Sequence, residues 1–384
     1  MKVVIAPDSF KESLSAMEAC HAIEKGWRHV YPEAEIVHVP MADGGEGTVQ
    51  SLVDATGGRL IHREVTGPLG TPVTAFYGLL GDGKTAVIEM AAASGLALVP
   101  PAQRNPLATT TRGTGELIQS ALDEGVSTII LGLGGSATND GGAGMAQALG
   151  VRLLDAGGAE IGHGGGELHR IARIDMSGAD PRLKGVAFVA ACDVDNPLTG
   201  ERGASAVFGP QKGAGPDMVR QLDGNLVHYA AMIKTSLGRD VAGIPGAGAA
   251  GGLGAGVLAF LDAELKRGVD IVIEATGLAS HVKDADLVIT GEGRIDSQTI
   301  YGKTPMGVAS TAKRYGVPVI GIAGSLADGH EVVHEHGIDM VYTIVPGVCS
   351  LEDAMRQAAA NMERTVRNIA MTLQCGGSLT KQGE

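Results

Sequence analysis

Five short segments carry side chains suited to handling phosphate, and each follows a run that reads as a β-strand. They are Pro7-Asp8-Ser9-Phe10-Lys11, Met41-Ala42-Asp43-Gly44-Gly45-Glu46-Gly47-Thr48, Gly132-Leu133-Gly134-Gly135-Ser136-Ala137-Thr138-Asn139-Asp140-Gly141-Gly142, Cys192-Asp193-Val194-Asp195-Asn196-Pro197 and Gly291-Glu292-Gly293-Arg294-Ile295-Asp296. Glycines in such places let backbone N–H groups close around an anion. Carboxylates beside them suit Mg²⁺, which usually takes one or two carboxylates together with phosphate oxygens. Serine, threonine and lysine add further phosphate contacts. Together these are the parts for phosphoryl transfer from a nucleotide. One Asp/Gly loop is an ordinary turn; five, after five strands, call for a common cause.

Four other patterns compete. Gly132-Leu133-Gly134-Gly135-Ser136-Ala137 fits the dinucleotide fingerprint G-x-G-x-x-G/A, with Asp155 in place for a ribose, so an NAD-dependent hydroxy-acid dehydrogenase is a rival reading. Asn139-Asp140-Gly141-Gly142, however, delays the helix that should begin at once. A second fingerprint at Gly246–Gly251 lacks a preceding strand. Ser297-x4-Gly302-Lys303-Thr304 misses a P-loop at its first position but leaves Lys303 as a phosphate contact at a helix start. His330-Glu331-Val332-Val333-His334 matches H-E-x-x-H, yet Gly329 and Gly337 confine it to two turns, which favours a surface helix over a zinc site.

The elements that must position these loops alternate strand and helix at both chain ends. Strands are expected at Lys2–Ala6 and Glu35–Pro40, with helices at about 15–30 and 47–55. Late in the chain, strands at 285–290, 317–323 and 340–345 alternate with helices near 304–315 and 329–336, before a final helix at 351–373. Between Arg59 and Met90 three alternating runs joined by Gly/Pro turns predict an antiparallel meander, followed by a helix near 113–124 and a strand at 128–133. The expected fold is α/β, with residues 1–60 and 270–384 forming one α/β domain and 61–269 an inserted mixed α+β domain, boundaries good to about 20 residues. Val241–Gly256 holds seven glycines in 16 residues and reads either as a hinge or as a loop packed on a ligand.

Composition agrees with a two-domain soluble enzyme. At 384 residues the chain exceeds the size at which one core stops growing. Its 59 glycines are about twice the usual share, whereas aromatic residues are only 3%. A net charge of −13 speaks against nucleic acid or an acidic membrane as partner. Any anionic substrate must therefore be held by locally placed cations and N–H groups. Four cysteines without a C-x-x-C pair, no signal-like N-terminus and no long apolar run lead to the expectation of a cytoplasmic protein, as monomer or homodimer.

Taken in order, APDSFKESLSA (6–16), MADGGEGT (41–48), GLGGSATNDGGAGMAQALG (132–150), ACDVDNPLTGERGASAVFGPQKGA (191–214), GAGAAGGLGAG (246–256) and DLVITGEGRIDSQTIYGKTPMGVA (286–309) resemble the bacterial glycerate kinases of the first type. The resemblance implies ATP- and Mg²⁺-dependent phosphorylation of (R)-glycerate, a Rossmann-like domain built from both chain ends, and an active site in a cleft between two domains. It favours 2-phosphoglycerate as product, with 3-phosphoglycerate the alternative. On that chemistry, Asp193 is the first choice of base, with Asp195 its rival. Lys11 is a further catalytic candidate. Gly134, Gly135, Ser136, Thr138 and Lys303 are expected around the nucleotide phosphates. Ser9, Asp8, Asn196 and Arg294 are expected at the substrate, with Lys11, Arg294 and Lys303 as cations for its carboxylate or the phosphates. Asp43 and Glu292 are expected at the metal, where Asp8 is also a candidate.

Overall fold

The computed structural model describes residues 1–380. Along the chain the strands are β1 (Lys2–Pro7), β2 (Glu35–His38), β3 (Arg59–Thr66), β4 (Pro72–Leu79), β5 (Thr85–Glu89), β6 (Thr128–Gly132), β7 (Arg152–Leu154), β8 (Arg173–Asp175), β9 (Ala187–Ala191), β10 (Glu264–Lys266), β11 (Leu287–Ile295), β12 (Val319–Leu326) and β13 (Met340–Thr343). The chain is an α/β protein of two compact units. The first comprises Met1–Asp43, Asp54–Thr56 and Val269–Glu384, and the second Gly44–Val53 and Gly57–Gly268.

The first unit is a five-stranded parallel sheet in the order β13-β12-β11-β1-β2. β1 is a run of β-branched and small residues buried on both faces, as an inner parallel strand requires. The helix Ala16–Arg28 starts at a capping box, in which the Ser15 side chain accepts from the Glu18 N–H while Glu18 reaches back to Ser15. Its buried stripe of Ala19, Ile23 and Trp27 packs into one cluster with Val366 and Ile369 of the helix Ala358–Thr380. Gly26 permits this approach, because a Cβ there would lie 2.4 Å from the Glu363 carbonyl oxygen.

The second unit is built on a six-stranded sheet in the order β10-β9-β6-β5-β4-β3. β3, β4 and β5 form the expected antiparallel meander, and β5, β6, β9 and β10 run parallel. One cluster beside the sheet gathers Tyr77, Ile88, Leu117, Ile129 and Leu253.

Five expectations need correction. β11 does not stop at Thr290 but continues to Ile295, paired with β12 throughout, so Glu292 and Arg294 are strand residues rather than loop residues. The glycine-rich segment is a loop over 241–248 and is not an inter-unit hinge. Its second half opens the buried helix Ala249–Phe260, and the chain does not pass between units anywhere in 241–256. The helix expected over 329–336 is 3₁₀, and the final helix breaks at Gln357 into Leu351–Arg356 and Ala358–Thr380. Asp155 lies after β7, in a separate two-stranded sheet with β8, where it accepts from the Gly157 and Ala159 N–H groups and pairs with Arg170. It caps a turn and does not sit beside β6, so the dinucleotide fingerprint has no ribose partner.

Candidate active site

In the second unit, the carboxyl ends of β5 and β6 open on a cavity of about 600 Å³. Gly134 and Gly135 are exposed along it, and Gly135 has φ +72°, which only glycine adopts without strain. Phe76, Ala91, Ala92 and Leu96 supply apolar wall, and the Gly44–Gly47 segment supplies backbone. Glu89 also lines the cavity. It accepts from the Val49 N–H at the start of the helix Thr48–Thr56, and burial holds its carboxyl above the usual range. A volume of this size, with small apolar walls and bare peptide at one end, suits a nucleoside whose phosphates meet N–H groups.

Behind Gly134 and Gly135 the loop turns inward. Ser136 and Thr138 are buried rather than exposed. Lys212, the one buried lysine among the described residues, donates from Nζ to Ser136 Oγ at 2.6 Å and to the Thr138 carbonyl at 2.7 Å. Asp140, fully enclosed, accepts from the Thr111 N–H and hydroxyl at 2.8 Å each and from the Gly142 and Gly144 N–H groups. Burial pulls the Lys212 ammonium down to about 7, with the Asp140 charge opposing, and pushes Asp140 up. Gly141 and Gly142, both left-handed, delay the next helix to Ala143.

At the end of β9, Asp193 is exposed, and its Oδ1 accepts from the Gly268 N–H at 3.0 Å. Both Asp195 oxygens lie 3.0 Å from Arg202, and Asn196 donates to the Arg202 carbonyl. Asp195 and Asn196 thus hold one another's loop through Arg202.

In the first unit, Asp8 follows β1 directly and its N–H donates to the Gly291 carbonyl on β11. Its carboxylate accepts from Thr304 Oγ at 2.5 Å and from the Ser9 N–H at 2.6 Å. Lost hydration and the charge of Asp43 nevertheless push Asp8 up to about 6. Glu292 accepts from Thr299 and lies 3.4 Å from Lys303 Nζ; burial, reinforced by Asp8, raises it to about 7. Lys303 caps the helix Thr304–Lys313, so a cation and two carboxylates converge at that helix start. Lys11 is exposed in the turn Phe10–Leu14, and Arg294 is exposed and paired with Asp296.

The Glycerate kinase family profile matches residues 3–374. The chain belongs to the glycerate kinase family. It is accordingly an enzyme, a phosphotransferase. A glycerate kinase of Bacillus subtilis is 64% identical, over 97% of this chain and 98% of its own. The glycerate 2-kinase of Escherichia coli K12 is 60% identical, over 98% and 99%. A crystal structure from Salmonella typhimurium LT2, titled for glycerate kinase 2, superposes with a TM-score of 0.92 at 58% identity, covering 98% of this chain and 99% of that one.

In this kinase the geometry brings Asp8, Asp43, Glu292 and Lys303 together on one unit, and exposes Gly134 and Gly135 on the other. It does not bring Ser136 and Thr138 to the surface, since the loop turns them toward Lys212. Lys212 and Thr304 were missed. Lys212 lies within the family-resembling segment 191–214, but no loop motif at a strand end singles it out. His330 and His334 bond to the Ala327 and Ile338 carbonyls, and among the described residues no group of three His, Cys, Asp or Glu could hold a metal. No helix among them is long and apolar enough to cross a membrane.

The raised Glu292 carries a stability prediction. A carboxyl whose folded value lies above its unfolded one costs stability once pH exceeds the unfolded value, and the full cost is present above the folded value. Glu292→Gln should therefore melt higher than the parent at pH 8, by on the order of 1–3 kcal/mol, and equal it at pH 4. Equal melting at pH 8 would refute the assignment.

Proposed function

We propose that the enzyme transfers the γ-phosphoryl group of ATP to the 2-hydroxyl of (R)-glycerate, giving 2-phosphoglycerate and ADP. The observation that carries this reading is the exposed Gly134-Gly135 peptide at the end of β6, opening on a nucleoside-sized cavity. The E. coli relative, named a glycerate 2-kinase, supports the choice of hydroxyl.

The Gly134 and Gly135 N–H groups take phosphate oxygens, while the cavity takes the nucleoside. Asp193 accepts the proton of the attacking hydroxyl as its oxygen bonds to the γ-phosphorus and the bridging bond to ADP breaks. Arg202 engages both oxygens of Asp195, which suits that residue to holding the loop. Lys11 and Arg294, both exposed, are the cations for the glycerate carboxylate, with Ser9 and Asn196 as lesser hydrogen-bonding partners.

Mg²⁺ fits Asp8 and Asp43 better than Glu292. The charge of Asp43 raises Asp8, a cost that a cation would relieve, whereas the charge of Glu292 already lies beside the Lys303 ammonium. Two carboxylates with phosphate oxygens are an ordinary Mg²⁺ donor set. Once bound, the ion supplies charge compensation on the phosphates.

Coupling the product to enolase alone tests the regiochemistry, since 2-phosphoglycerate feeds that enzyme directly. Phosphoenolpyruvate should appear in step with ADP. ADP without phosphoenolpyruvate means transfer to O3, and the absence of glycerate-dependent ADP overturns the reading.

A further inference from the structure

We infer that Glu89 determines specificity for the sugar of the nucleotide, accepting from a ribose hydroxyl while Phe76 faces the base. The inference rests on the proposal that the Gly134–Gly135 peptide receives the phosphates. It is carried by a row of residues across the sheet of the second unit. Gly132 at the end of β6 pairs with Glu89 at the end of β5. β4 pairs with β5 at Gly78–Val87 and Leu79–Ala86, and the same antiparallel register carried onward sets Phe76 opposite Glu89. Residues directly opposite one another project from the same face of a sheet. All three line the same cavity of about 600 Å³.

Neighbouring strands lie about 5 Å apart, so the row covers about 10 Å. Gly134 and Gly135 follow directly on the β6 end of that row. A nucleotide laid from there meets β5 with its sugar and β4 with its base, because the sugar lies between phosphate and base. Glu89 reaches toward the phosphate end: its Cγ lies 3.7 Å from where a Gly132 Cβ would stand. Its Oε1 accepts from the Val49 N–H at 2.9 Å, and the Gly47 and Thr48 N–H groups add to that anchor. A carboxylate has about four acceptor sites, so the anchor leaves capacity for a hydroxyl, which donates. Phe76 is half-buried, with its ring backed by His62 at a centroid distance of 5.8 Å. It is the aromatic residue of the wall, and an aromatic face suits any base.

The test begins with the unaltered full-length protein. ATP, 2′-deoxy-ATP and 3′-deoxy-ATP are titrated into it by calorimetry without glycerate. ATP should bind about ten-fold or more tighter than at least one deoxy analogue, as for a hydrogen bond to a charged group. Glu89→Gln keeps an oxygen for the Val49 N–H, and thermal melts certify its fold. In that variant the preference for ATP should fall at least about three-fold. Glu46→Gln, which alters the other carboxylate of the wall, should keep the preference. Phe76→Ala should weaken ATP and the deoxy analogues alike, by about five-fold or more. Equal binding of ATP and both analogues to the unaltered protein would overturn the inference. So would a preference that survives Glu89→Gln or disappears in Glu46→Gln, and so would ATP affinity unchanged in Phe76→Ala. Gly134→Val separates the two levels. If it weakens ATP while no sugar preference exists, the loop still holds the phosphates and only the role of Glu89 falls. If it leaves ATP affinity unchanged, the loop is not the phosphate seat and both proposals fall.

Discussion

Asp193→Asn should lower kcat by about a thousand-fold, within the range that a positioned general base contributes, and leave the fold and ATP affinity intact. The substitution keeps shape and removes charge. The Asn Oδ1 can still accept from the Gly268 N–H, so the loop after β9 keeps its anchor. What is lost is the ability to take a proton from a hydroxyl while phosphorus is attacked. Asp195→Asn provides the contrast. Arg202 already spans both oxygens of Asp195, and both side chains are well exposed, so that pair adds little to stability. Its kcat should stay within about three-fold of the parent. Steady-state kinetics with calorimetric ATP binding decide the matter. Turnover near the parent value in Asp193→Asn would remove Asp193 from the chemistry.

The second large effect concerns stability. Gly251→Ala should cost about 3 kcal/mol or more, as expected of backbone strain joined to a core clash. Gly251 has φ +69°, and a Cβ there would lie 1.9 Å from the Thr138 carbonyl oxygen, with Asn139 close behind. Ala250 and Gly252 are left-handed as well, at φ 52° and 88°, so the helix Ala249–Phe260 opens on a tight reversal laid against the Thr138–Gly142 loop. The Gly141 N–H donates to the Gly251 carbonyl across that contact. Relaxing it would disturb the Thr138 carbonyl that Lys212 holds, so the urea midpoint should fall. Gly243→Ala, in the same glycine run but with nothing within 4 Å of the added carbon, should change stability by no more than about 0.5 kcal/mol. Equal tolerance at the two positions would mean that the run is slack after all.

That glycine run marks where sequence reasoning failed. Counting glycines in 241–256 suggests a flexible or ligand-facing stretch because composition records missing side chains, not what occupies the space they leave. Here the space is filled by backbone, with Gly248 against Pro197, Gly251 against Thr138 and Gly256 against Gly141. Glu292 and Arg294 were misplaced for a related reason. Glycines at 291 and 293 read as loop, yet a Cβ at Gly291 would strike the Ile322 carbonyl at 2.1 Å, so glycine is there to let β11 lie close against β12. What was legible depends on local pattern. β1, the capping box at Ser15 and the meander from Arg59 to Glu89 follow from side-chain alternation and neighbours within a few residues. The loops at the strand ends were legible too, because acid beside glycine is a local signal. Lys212 was not, since its meaning lies in Ser136 and Thr138, more than 70 residues away.

The interleaving of the first sheet has a consequence for how the protein is made. β1 and β2 leave the ribosome first, yet the other edge of β1 is closed by β11, which begins at Leu287. Through all the synthesis between them, a strand of almost wholly buried character has one open edge, the kind of surface that recruits wrong partners. The second unit is nearly continuous in the chain and can close while that edge waits. Translation thus favours closing the second unit before the first, and the nascent chain is most exposed to misassociation until β11 and β12 emerge.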